Sequence, residues 1–229
     1  MRNRFERFAI YAMPQGALLE AGAQWLGWNS VTGIEVAHPH IPALPVPAAE
    51  LTRTPRKYGF HGTIKPPFRL AEGQTADALA TATAALCAKA APVTIPALEV
   101  QRIGGFVAIV PAAPAHDLAK LAGQVVRDLD HFRAPAPEAE LARRRKAGLS
   151  ERQKALLLQW GYPYVMEEFR FHLTLTGSLD RATADSARDA LAMHFEPLLP
   201  RPFLLDSLCL TGEDAAGRFH MVHRYPLAG

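Results

Sequence analysis

The segment Phe60-His61-Gly62-Thr63-Ile64 returns about half a chain later as Phe171-His172-Leu173-Thr174-Leu175, so one sequence of 229 residues carries two copies of a His-x-Thr segment framed by apolar residues. A side-chain period of two reads each copy as a strand. His61 and Thr63 then share one face while Phe60, Gly62 and Ile64 share the other, and His172 and Thr174 are split in the same way from Phe171, Leu173 and Leu175. A strand with one face on a core and one on a cleft requires this pattern. Two imidazoles and two hydroxyls are thereby available to a single cleft.

The segments around the motifs repeat as well. An apolar run from Phe8 to Met13 reads as a strand that stops at Pro14, and a helical pattern follows from about Ala17 to Leu26, ending at Gly27. Pro39, Pro42, Pro45 and Pro47 make the next stretch irregular, and Pro66-Pro67 is expected to terminate the first motif strand. A helix from about Thr75 to Ala90 precedes a hairpin in which Leu98 to Ile103 and Phe106 to Val110 flank Gly104-Gly105. In the second half, Leu118, Leu121, Ala122, Val125 and Leu129 mark one face of a helix from about Ala115 to Phe132. A shorter helix, Glu151 to Trp160, has Ser150 as N-cap and Gly161 beyond its end. After the second motif, Asp180 caps a helix reaching about Phe195, and two strands, Phe203 to Leu210 and Phe219 to Tyr225, are joined by a turn containing Gly212 and Gly217. Each half thus reads helix, motif strand, helix, hairpin. The expected fold is α+β, a duplicated two-lobed arrangement with antiparallel sheets around a central cleft. Residues 1–229 form one bilobal domain in this reading, with lobes of approximately 1–111 and 112–229.

Composition narrows the ligand. With 49% hydrophobic residues the chain can bury an ordinary core, yet no apolar run approaches the ~20 residues of a membrane span. The start, Met1-Arg2-Asn3-Arg4-Phe5-Glu6, lacks the apolar centre of a signal peptide, so a cytoplasmic location and no membrane partner are expected. Two cysteines, Cys87 and Cys209, are too few for a disulfide framework or a cysteine-based zinc site. A net charge of +3 suits a small anionic ligand without demanding a nucleic-acid polymer. Nothing here sets an oligomeric state.

Paired histidines have a definite chemistry. Hydrolysis of a cyclic phosphodiester requires one group to take a proton from water and another, across phosphorus, to give one to the leaving oxygen. With ordinary pKa values near ~6.5, one imidazole can be neutral while the other is charged. Equivalent strands from two lobes supply the opposed geometry of an in-line reaction. Thr63 and Thr174 are positioned to donate hydrogen bonds to non-bridging phosphate oxygens. The scheme calls for no metal and no cofactor. Two His-x-Thr motifs in a duplicated chain resemble the two-histidine (2H) phosphoesterase superfamily. The segments Arg56 to Phe68, Leu141 to Arg145 and Trp160 to His172 resemble more specifically a bacterial branch found beside phosphonate-utilisation genes. The resemblance implies that His61 and His172 are the acid–base pair, that Thr63 and Thr174 hold phosphate, and that the substrate is a small phosphate ester such as a phosphorylated or cyclic-phosphate sugar.

Further substrate contacts are expected from strand parity and proximity. Lys65 lies two residues beyond Thr63 on the expected face of His61, Arg170 lies two residues before His172, and Tyr11 and Tyr58 lie in or beside strands near the first motif. The basic run Arg143-Arg144-Arg145-Lys146 reads as a solvated loop or a flap gathering anions. His38, His40, His220 and His223 lack accompanying carboxylates or cysteines at recurring metal-ligand spacing. An RNA-recognition sheet would show aromatic interleaving that this sequence lacks, so RNA is the less favoured ligand. The alternative functional reading is a non-catalytic module binding RNA ends or a nucleotide.

Overall fold

A computed structural model describes residues 5–138, 141 and 148–229; the Arg143–Lys146 run therefore lies outside the described residues. In chain order the strands are β1 (Arg7–Ala12), β2 (Trp28–Asn29), β3 (Ile34–Glu35), β4 (Gly62–Phe68), β5 (Val93–Ile95), β6 (Leu98–Ile103), β7 (Phe106–Pro111), β8 (Leu173–Thr174), β9 (Phe203–Leu205), β10 (Ser207–Glu213) and β11 (Phe219–Pro226). The helices are α1 (Gly16–Leu26), α2 (Ala48–Leu51), α3 (Ala76–Cys87), α4 (His116–Asp128), α5 (Glu151–Trp160) and α6 (Arg181–Phe195).

Local sequence explains where the helices start and stop. Thr75 and Asp180 cap α3 and α6 by accepting from the amides of Ala78 and Thr183, and Ser150 with Gln153 forms a reciprocal capping box on α5. Gly27 and Gly161 end α1 and α5 in the left-handed conformation. The apolar stripe of α4 (Leu118, Leu121, Ala122, Val125), continued by Leu129 just past its end, is buried in the main core, at roughly 1.5–3 kcal/mol for each large side chain before entropy is counted.

Seven strands form one antiparallel sheet in the order β11-β10-β1-β4-β8-β7-β6. The two motif strands, β4 and β8, are neighbours at its centre, paired at Gly62 and Leu173. Gly62 is required there, because a Cβ would fall 2.2 Å from the ring of Phe171. Strand parity divides the two faces. Phe8, Ile10, Ala12, Phe60, Ile64, Phe171, Leu173 and Leu175 join the helices in the main core, whereas Ala9, Tyr11 and Met13 cluster with Cys209 and Phe219.

Several sequence expectations change. Pro66-Pro67 does not end the first motif strand, which continues to Phe68. Register shifts give β4 extra residues against β1, and β8 pairs with it only at Gly62, so ladder amides are not demanded from the prolines. The stretch Phe203 to Leu210 is two strands, since β9 leaves the main sheet to pair with β5, and Gly212 lies within β10 rather than in the turn. The halves of the sequence are not the halves of the sheet. β1 and β7 each lie outside a motif strand and each precede a helix and then that motif strand, so β7 is the counterpart of β1 in the second repeat. The outer strands are exchanged, with β6 of the first repeat beside β7 and β10 of the second beside β1.

Candidate active site

His61 and His172 are held in the same way. In each, Nδ1–H donates to the carbonyl two residues earlier, Gly59 at 2.9 Å and Arg170 at 2.7 Å. This bond fixes the neutral tautomer with the proton on Nδ1 and leaves Nε2 as the working nitrogen. Gly59 has φ of +73°, a backbone state open to glycine, which turns its carbonyl toward the ring. The hydroxyl of Thr63 lies 3.0 Å from His61 Nε2 and donates to it when the ring is neutral.

Both histidines and both threonines line one cleft of about 430 Å³. Tyr11 and Tyr58 line it too, together with Arg7, Tyr162 and the Thr176-Gly177-Ser178 segment. Tyr11 is 1% exposed and its ring stacks on His61, with centroids 3.6 Å apart and planes 19° from parallel. Burial is the main cause holding the tyrosine hydroxyl well above its ordinary pKa, so it remains protonated. Burial also lowers His61 to about 4, with the nearby His172 adding to that effect and the Gly59 carbonyl opposing it. His172 is lowered in turn by burial, against the bond to the Arg170 carbonyl. Both rings are therefore neutral near pH 7 without ligand, where one neutral and one charged ring were expected from ordinary values.

A second cleft of about 460 Å³ adjoins the first, sharing Thr63, Pro66, Phe106, Tyr162 and His172. Arg170 is exposed at its edge beside Tyr164 and Phe169. Lys65 is not in either lining. It is 2% exposed, donating to the Val126 carbonyl and to Asp130 Oδ1, both at 3.2 Å. The register shift between the Tyr11–Thr63 and Ile10–Lys65 pairs breaks the parity that placed it beside Thr63, and its ammonium closes the end of α4 instead. Arg7 was legible by parity with Tyr11 on β1, and in the structure it pairs with Glu213 (Nη2 to Oε1, 2.6 Å). Tyr162 lies within the segment that carried the family resemblance.

Among the described residues no three His, Cys, Asp or Glu side chains gather as metal ligands. His38 bonds the Trp25 carbonyl and faces Arg56, and His220 pairs with Asp214 at 2.7 Å. No helix of the described residues is long and apolar enough to cross a membrane.

The chain is 37% identical over 231 residues to a protein of Janthinobacterium sp. (strain Marseille) named ribose 1,5-bisphosphate phosphokinase PhnN, covering 97% of this chain and 51% of that protein. A protein of the same name from Laribacter hongkongensis (strain HLHK9) is 33% identical over 213 residues, 92% of this chain and 49% of the relative. The chain thus spans about half the length of the curated relatives it matches. Among solved structures, E. coli LigT complexed with 3'-AMP is similar over 97% of this chain and 98% of that one, with a TM-score of 0.47 and 14% identity. A family model described as "Protein of unknown function (DUF1045)" matches residues 63–220, and the chain belongs to that family.

Proposed function

We propose that the cleft is the active site of a metal-independent phosphoesterase that opens a cyclic phosphodiester of a phosphorylated sugar or nucleotide. One observation carries this reading: two histidines with the same Nδ1-to-carbonyl anchoring stand one residue before neighbouring central strands and line a single cleft with their paired threonines. Water attacks phosphorus while one imidazole Nε2 takes its proton. The bond to the leaving oxygen breaks as the other imidazolium gives that oxygen a proton. Thr63 and Thr174 donate to the non-bridging oxygens, so the Thr63 hydroxyl turns from His61 to the phosphate on binding. The phosphate's charge favours the protonated ring that the acid requires. Tyr58 borders the phosphate site, and Arg170 meets the substituent beyond His172.

The relatives' name favours a ribose phosphate over RNA as the substrate class, in keeping with the resemblance to the phosphonate-utilisation branch. Their kinase activity reads as belonging to the half this chain does not match, for its sequence holds no Gly-x-x-x-x-Gly-Lys-Ser/Thr phosphate loop. A panel of nucleoside and sugar cyclic phosphates, assayed with chelator present, tests the proposal. Turnover of at least one member is expected, with losses of ~10² to 10⁴-fold in kcat/KM for His61→Ala and His172→Ala. No turnover, or turnover indifferent to both substitutions, rejects it. Salt-sensitive binding without product would instead favour the RNA-end or nucleotide binding module.

A further inference from the structure

The repeat that makes the two histidines alike is broken at one position. Across the sheet from Thr63, β1 presents Tyr11; across from Thr174, β7 presents Ala108. These positions are equivalent, because β1 and β7 occupy the same place relative to β4 and β8. His61 therefore rests on a nearly parallel aromatic ring at 3.6 Å, while Phe106 is 5.6 Å from His172 and tilted by 56°. A methyl group has no quadrupole to offer, whereas the face of a neutral phenol attracts a cation above it.

We infer that Tyr11 is a positioning residue that distinguishes the two histidines: its ring fixes the plane of His61 and stabilises the positive charge His61 acquires when it takes a proton. This deepens the acid–base reading of the cleft without depending on turnover, because the stacking acts on the free protein. The other groups facing His61 do not supply the effect. Tyr58 is at 6.3 Å and tilted by 51°, the Thr63 hydroxyl bonds the ring edge, and His172, in the same cleft, opposes a second charge. Arg7, on the same face of β1, is paired with Glu213, and Tyr162 lines the same cleft. Enclosure works against protonation of His61, so the ring beneath it is the feature that keeps its charged form within reach.

The test follows the ring nitrogens of both histidines by NMR at the midpoint of the His61 titration, which burial places below the ordinary 6.5 and where half of that ring is protonated. Tyr11→Phe keeps the aromatic face and should leave that fraction unchanged. Tyr11→Leu removes it and should lower the proton affinity of His61 about tenfold, reducing the protonated fraction to roughly a tenth, with His172 unmoved. Since leucine in a buried strand position can unfold the protein, a series of increasingly fluorinated phenylalanines at position 11 makes the same test at nearly constant shape. The protonated fraction should fall stepwise with fluorination. An unchanged fraction across that series, or equal shifts at His61 and His172, would overturn the assignment. The rate readout is separate: where turnover is measured, Tyr11→Leu should reduce kcat about tenfold with KM little changed.

Discussion

His61 is stored in its uncharged form, and this has two measurable consequences. The unfolded chain binds a proton near the ordinary 6.5, whereas the folded protein resists until about 4. Between those values the unfolded state holds the extra proton, so folding stability rises with pH in that window. The contribution is complete above 6.5 and is lost as pH falls toward 4, on the order of 3 kcal/mol. Denaturant titrations from pH 7 to 4 should show this slope in wild type and a flatter one in His61→Gln. The same lowering moves catalysis: with both imidazoles below 6.5, the bell-shaped profile of kcat/KM is expected to peak on the acid side of neutrality, and a maximum above pH 7 would contradict it. Lys65 makes the opposite case. Tied to Val126 and Asp130 behind the motif strand, it does not meet substrate, and Lys65→Met should leave KM within about twofold, where loss of a phosphate-binding lysine would raise it tenfold or more.

At the scale of elements, the contact between β4 and β8 sets the spacing of the two histidines. Gly62 meets Phe171 where a methyl would overlap the ring, so Gly62→Ala should cost about 1–3 kcal/mol and reduce activity by forcing the motif strands apart. Adding Phe171→Leu should recover part of both, as thermal unfolding and kcat/KM of the double variant would show. Element identity was largely legible in the sequence. Period-3.6 stripes, caps and terminal glycines gave α1, α3, α4, α5 and α6, and period two gave the motif strands and the β6–β7 hairpin. What escaped depended on tertiary partners. The two-residue strands β2 and β3 carry too little pattern to be read, β9 parts from β10 only because β5 is there to receive it, and the bulges that carry β4 through two prolines and turn Lys65 inward arise from pairing with β1.

For the whole molecule, duplication was visible but its interleaving was not, since nothing in a linear pattern states that β6 will pair beside β7 and β10 beside β1. The exchange means that each motif strand sits in a sheet completed by the other repeat. Fragments 1–104 and 105–229 should accordingly fail to fold separately and regain the native amide spectrum when mixed. Two independently folded fragments would refute that interdependence. The interleaving also brings the motif strands together at the centre, where both histidines line one cleft. The direct measurement of that convergence is a titration of the protein with inorganic phosphate while the Nε2 signals of His61 and His172 are recorded together. Both signals should move along one saturation curve, and Thr63→Ala with Thr174→Ala should weaken it. A shift in only one histidine, or two curves with different midpoints, would contradict a shared phosphate site.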